Sequence, residues 1–256
     1  MVSSGAAGAM TCATLACVAG GDPEAELTTR RTEENRFAEA LARVLDRGGT
    51  ALVPVFALGR AQEMLAVIDR LKERRRIPPD VPVYTAGGLR AIADLYDKTR
   101  FFTPRLNPEF EVFGVEQQRL PRSYTAKKDA LAGPSIHVVS SGMMFEGSLS
   151  NWIAQHVIED ENNAVFLVGF SKEGSPAARL LDAAKDGVEE VVLDSDIGPQ
   201  PVRCEVERFR FSGHSHRRVV HVADATGRAV QRALEQAAAR RPNITLVPEM
   251  AAIDLA

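Results

Sequence analysis

Four times along this chain an apolar run gives way to a turn rich in small residues and then to a segment of helical period. The units are residues 50–63 (TALVPVFALGRAQE), 81–98 (VPVYTAGGLRAIADLYDK), 136–158 (IHVVSSGMMFEGSLSNWIAQHVI) and 164–184 (AVFLVGFSKEGSPAARLLDAA). Short apolar runs followed by helices in series predict strand–turn–helix units stacked into an α/β fold, a doubly wound and mostly parallel sheet. Ligands of such sheets bind outside the carboxyl ends of the strands, so the four turns are expected to converge on one edge.

Around these units the pattern is less regular. Residues 32–47 place Phe37, Leu41, Val44 and Leu45 at helical spacing, with Glu33 and Glu34 in the first turn and Gly48-Gly49 as the stop. Residues 101–132 contain Pro104, Pro108 and Pro121 without a clean period and read as a connection or lid. Residues 188–193 read as a short strand and 197–201 as a turn. Residues 202–211 (VRCEVERFRF) alternate as a half-buried strand ending in SGHSH. Beyond it come a strand at 219–222, a helix at 227–240 and a strand at 244–247. The opening 21 residues (MVSSGAAGAMTCATLACVAGG) read as a buried strand with polar flanks, a secretory leader being the alternative.

Composition narrows the partners. With 256 residues and 45% hydrophobic content, the chain can bury one large core or two modest ones. A net charge of −3 excludes a nucleic-acid binder that works by bulk charge. Any such contact must use a local basic strip, for which residues 72–76 (KERRR) and 119–128 are candidates, each also readable as a solvated face. Cys12, Cys17 and Cys204 form no CxxC pair, which points to a reducing, cytoplasmic setting. No stretch is apolar enough to span a bilayer.

The turns carry the candidate chemistry. Arg60 opens the helix after the first elbow; Ser140, Ser141 and Gly142 form the third turn, with Ser148 at the expected N-cap; Lys172, Gly174 and Ser175 form the fourth. Backbone N–H groups, hydroxyls and cations of this kind hold phosphates, so the shared edge is expected to bind a polyanion. Ser148 and Ser175 also read as plain caps, and Arg60 as the partner of Glu63. A nucleotide or phosphosugar module finds no support, since neither GxxxxGK[ST] nor GxGxxG occurs. A serine hydrolase lacks its GxSxG turn.

Taken in order, VPVFALGRAQE, SSGMMFEGSLSNW, VGFSKEGSPAARLL and FSGHSHRR resemble the β-CASP branch of the metallo-β-lactamase superfamily, RNA- and DNA-processing hydrolases that include ribonuclease J and the nuclease of the cleavage and polyadenylation machinery. The resemblance runs from Glu33 to the end of the chain. It implies a β-CASP domain at 48–211 inserted in an incomplete metallo-β-lactamase αββα fold, with 1–47 and 212–256 as parts of the latter. It implies single-stranded RNA as substrate, two zinc ions as cofactor, and Glu34 as an active-site acid with Glu33 as second choice. It also makes His214 a zinc-binding and catalytic residue and His221 the candidate for a further ligand, while His216 replaces an acidic residue common in relatives.

The sequence departs from the family where the metal chemistry resides. The HxHxDH signature that supplies most zinc ligands does not occur among these residues. Two zinc ions about 3.5–4 Å apart, each with roughly four ligands, need more donors than His214, His221 and nearby carboxylates provide. The resemblance therefore implies an RNA-processing ribonuclease that is weak or inactive alone, either a truncated chain or one completed by a partner polypeptide or a second copy. The alternative is a catalytically silent RNA-binding or scaffold subunit.

Overall fold

The computed structural model describes residues 30–101 and 109–211, together with Gln236 and residues 239–241. The strand expected near the start, His214, His216, His221 and most of the elements expected after Phe211 lie outside the described residues. Thr28–Gly213 form one compact unit, and every element below belongs to it.

Helix α1 (Arg30–Asp46) buries Phe37, Leu41, Val44 and Leu45 along one stripe, the face that its spacing predicts. It stops where Gly48 takes a φ of 80° and the Gly49 N–H bonds back to the Val44 carbonyl at 2.9 Å. Gly49 lies so close to the next layer that a Cβ there would sit 1.8 Å from the Asn162 carbonyl oxygen.

Six strands follow one another across a single sheet. They are β1 (Thr50–Pro54), β2 (Val83–Thr85), β3 (Gln118–Arg119), β4 (Ser135–Val139), β5 (Ala164–Leu167) and, after the ribbon strands β6 (Glu190–Val192) and β7 (Pro199–Pro201), β8 (Glu205–Arg208). Their order is β3-β2-β4-β1-β5-β8, and every neighbouring pair in it is parallel. Crossovers run through α2 (Arg60–Glu73), α3 (Gly88–Lys98), α4 (Tyr124–Asp129), α5 (Leu149–Val157) and α6 (Pro176–Asp186). The expected doubly wound parallel sheet is present.

Alternation along the strands divides the core into two layers. Ala51, Val53, Val55, Ile136, Val138 and Phe166 face Phe37 of α1, Met64, Leu65 and Ile68 of α2, and Leu89 of α3. Leu52, Val139, Val165 and Leu167 face Ile153, Ala154 and Val157 of α5 and Leu180 and Leu181 of α6. Phe37 anchors the first layer, its ring meeting Phe166, Phe209 and Phe211 edge-on at centroid distances of 5.7, 5.3 and 5.4 Å. Full burial of each ring stabilises the fold by about 2–3 kcal/mol, and edge-to-face geometry adds to that.

Three segments differ from their sequence expectation. Within 101–132 the chain forms a 3₁₀ turn at Val112–Gly114, the two-residue strand β3 and the short helix α4. Residues 199–201, expected as a turn, pair antiparallel with β6 as a separate two-stranded ribbon. Residues 202–211 are regular strand only at β8; Cys204, Phe209 and Phe211 are buried while Val202 and Val206 are half-buried.

Candidate nucleic-acid interface

Because all six strands of the sheet run the same way, the loops after β1, β4 and β5 leave its carboxyl edge side by side. The contacts between them are close. A Cβ on Gly142 would meet the Phe56 backbone nitrogen at 3.1 Å, so only glycine lets the β4 loop pass the β1 elbow undisturbed. The Ala177 N–H at the start of α6 bonds to the Met143 carbonyl at 3.1 Å, which ties the β5 loop to the β4 loop. Asn151 then locks the arrangement from beneath, its buried amide nitrogen donating to the carbonyls of Met144 and Leu193, both at 2.8 Å.

The β1 elbow is closed on itself. The N–H groups of Arg60 and Ala61 bond to the carbonyls of Leu58 and Phe56 at 3.1 and 3.2 Å, and the Gln62 side chain accepts from the Gly59 N–H at 2.7 Å. The Arg60 guanidinium pairs with Glu63, whose other oxygen takes Arg30 at 2.7 Å. The elbow thus spends on its own turn the N–H groups of Gly59, Arg60 and Ala61 and the Arg60 guanidinium, while those of Phe56, Ala57 and Leu58 meet no acceptor among the described residues.

The β4 loop keeps more of its capacity. Ser148 caps α5 by accepting the Asn151 N–H at 3.3 Å, and its hydroxyl lies 3.1 Å from that of Ser150. Ser150 donates in turn to the Ser141 carbonyl at 2.7 Å. A chain of hydroxyls therefore joins the helix N-terminus to the Ser140-Ser141-Gly142 turn. The N–H groups of Leu149 and Ser150 have no acceptor among the described residues, and neither does the buried Ser141 Oγ. Free N–H groups at a helix N-terminus beside serine hydroxyls form a set of donors suited to an anion.

In the β5 loop Ser175 is a buried cap that accepts the Ala178 N–H at 3.3 Å, with Gly174 at a φ of 74° before it. Lys172 is exposed and makes no ion pair among the described residues. Aromatic rings line the same edge: Phe56, Phe145 and Phe170 are 41%, 50% and 63% exposed. Sequence reading singled out neither these rings nor Ser150. The signal for Ser150 was its place two residues after the Ser148 cap, and for the rings their position inside turns rather than in apolar runs.

The two candidate acids are held differently. Glu34 sits on the surface between Arg30 at 2.9 Å and Arg70 at 3.4 Å. Glu33 is 1% exposed, and its carboxylate accepts from Arg36 Nη1 at 2.8 Å and from the Arg210 backbone N–H at 2.7 Å. Glu33 is thus the acid fixed to the exit of β8, four residues before His214.

The donor set does not fit a zinc ion among the described residues, where no three His, Cys, Asp or Glu side chains come together. His137 lies wholly buried on β4, with Nε2 3.1 Å from both the Ser135 hydroxyl and the Ala130 carbonyl. His156 turns its Nδ1 to the Trp152 carbonyl at 2.8 Å. Burial pushes the Cys204 thiol up to about 12, which keeps it protonated and a poor metal ligand. No helix among the described residues is long and apolar enough to cross a membrane.

Compared with known proteins, residues 61–180 match the Beta-Casp domain. An RNase J-like protein of Methanocaldococcus jannaschii is 29% identical over 199 residues, covering 76% of this chain and 44% of that protein. RNase aCSPSF2 of Saccharolobus solfataricus is 30% identical over 189 residues, covering 74% and 35%. The cleavage and polyadenylation specificity factor 73 of Drosophila melanogaster is 28% identical over 191 residues, covering 73% and 27%. The chain therefore spans less than half the length of each of these relatives.

Proposed function

Because the chain belongs to the β-CASP family of the metallo-β-lactamase superfamily, we propose that it binds single-stranded RNA during RNA processing and holds the phosphodiester backbone along the carboxyl edge of its sheet. The observation that carries this reading is the β4 loop, where the N–H groups of Leu149 and Ser150, which meet no acceptor among the described residues, adjoin the hydroxyls of Ser148 and Ser150. Lys172, exposed in the next loop and without an ion pair among the described residues, adds a cation. Phosphates are bound mostly by such groups, without sequence information.

In this reading Gly142, Gly174 and Ser175 shape the loops, while Arg60 holds the first elbow rigid through Glu63. By the resemblance alone, Glu34, with Glu33 as second choice, is the active-site acid, and His214 and His221 are the candidate metal-binding residues. In the family, zinc makes a hydroxide nucleophile and stabilises the in-line transition state. The described residues supply no donor set for it, so in this reading hydrolysis draws its ligands from outside them, a partner polypeptide or second copy being the expected source. That same observation favours a second reading, an RNA-binding or scaffold subunit without catalysis of its own.

The test is binding and cleavage of a labelled single-stranded RNA by the full chain, with zinc content measured alongside. Salt-sensitive binding without cleavage is the expected result. Absence of binding at low salt overturns the RNA reading, and EDTA-sensitive cleavage at stoichiometric zinc overturns the dependence on outside ligands.

A further inference from the structure

Beside the loop edge, α4 and the first turns of α5 carry a cluster that the phosphate site does not use. Tyr124 is 57% exposed, and its ring meets Trp152 edge-on at 5.8 Å. Trp152 in turn packs against His156 at 4.3 Å. Lys127 Nζ lies 5.2 Å from the centre of the Trp152 ring and Lys128 Nζ 5.0 Å from that of Tyr124. Residues 119–128 (RLPRSYTAKK) hold four cations and no acid, in a chain whose net charge is negative. None of the four forms a salt bridge among the described residues, and Arg119, Arg122 and Lys128 are exposed.

Among the described residues no carboxylate pairs with the two lysines, and they lie over rings instead. Cation–π contact at an exposed site is weak, about 0.5–1 kcal/mol, so a stronger anion can draw the ammonium groups away. A strand of nucleic acid offers phosphates to the lysines and arginines and flat bases to the ring face that they vacate. The cluster is continuous with the β4 loop, since the Trp152 N–H bonds to the Ser148 carbonyl at 3.1 Å.

We infer that Tyr124, Trp152, Lys127 and Lys128, with Arg119 and Arg122, form a stacking platform for single-stranded nucleic acid, extending the bound strand beyond the loop edge onto α4 and α5. This rests on the reading of the chain as an RNA binder and adds a second contact surface to it. The ligand is a flexible single strand, because a duplex presents no free base faces to stack.

Trp152 is the only tryptophan in the chain, so its fluorescence reports the platform directly. Titration of the full chain with a long oligouridylate is expected to quench it. Tyr124→Ala combined with Lys127→Gln and Lys128→Gln is expected to weaken binding of the long strand roughly five- to twentyfold and to lower its salt dependence. Tyr124→Phe, which keeps the ring, retains wild-type affinity. A short oligouridylate that fills only the loop edge is expected to bind the wild type and the triple variant alike. Binding of the long strand with unchanged Trp152 emission and no loss in the triple variant overturns the platform and leaves the RNA reading standing. Equal quenching by duplex RNA also overturns it. Failure of the wild type to bind any RNA removes the reading and the platform together.

Discussion

The buried carboxylate of Glu33 accepts the backbone N–H of Arg210 at 2.7 Å, joining the first turn of α1 to the segment that leaves β8. Its neighbour Glu34 instead faces Arg30 and Arg70 on the surface. Removing a buried charged acceptor leaves its donors unpaired, whereas a surface ion pair contributes little. Glu33→Ala is therefore expected to lower stability by about 2–3 kcal/mol, and Glu34→Ala by less than about 0.5 kcal/mol. Urea unfolding midpoints of the two variants check the contrast.

His137 makes stability depend on pH. Burial holds its pKa at about 4, below its ordinary value of 6.5, in a pocket formed by Tyr84, Ser135 and the Ala130 carbonyl. Above pH 6.5 the ring is neutral whether the chain is folded or not, and the fold keeps its full stability. As pH falls from 6.5 toward 4, the unfolded chain takes up a proton that the folded chain refuses, and stability is lost. The expected loss is about 3 kcal/mol. His137→Leu should flatten that part of the curve, which unfolding at successive pH values would show.

Asn151 satisfies two buried carbonyls at once, those of Met144 and Leu193, and accepts from Gln155. Asn151→Ala is expected to cost about 2–3 kcal/mol, since each unpaired buried carbonyl carries its own desolvation penalty. The β4 loop should loosen with it. Faster amide exchange at residues 141–149 than in the rest of the protein would be the signature.

Glycine substitutions separate fold from edge. Gly49→Ala places a methyl 1.8 Å from the Asn162 carbonyl and is expected to cost 3 kcal/mol or more, which far-UV circular dichroism during heating would register. Gly142→Ala presses on the Phe56 backbone at 3.1 Å and is expected to cost only about 1–2 kcal/mol. Its larger effect should fall on RNA affinity, because it pushes the β1 and β4 loops apart.

The strand–turn–helix units were legible because β1, β4 and β5 are buried along their whole length, so each reads as a mainly apolar run, with Thr50, Ser135 and His137 as the polar exceptions. Helix α1 was equally plain, its expected span of 32–47 lying within two residues of the observed ends. β3 was hidden because both its residues, Gln118 and Arg119, are exposed and pair with β2 through backbone alone. α4 is too short for its period to declare itself. At the site, residue types pointed to the loops that leave the carboxyl edge, but nothing in the sequence showed that the Arg60 guanidinium and the N–H groups of Gly59, Arg60 and Ala61 are consumed within the elbow. The different settings of Glu33 and Glu34 likewise depend on the position of Arg210, 177 residues away.

The central place of β1 has a consequence for synthesis of the chain. β1 is the first strand of this sheet to be made, yet its partners lie 85 residues later on β4 and 113 residues later at Asn163, on the threshold of β5. At roughly 5–20 residues per second, β1 waits about 4–17 s for β4 and longer for β5. During that wait a run of five residues that ends fully buried has no sheet to join. Pro54 at its end cannot donate to a ladder and is expected to hinder premature pairing with other chains, so the protein's yield in a cell should fall when Pro54 is replaced by a residue with an N–H.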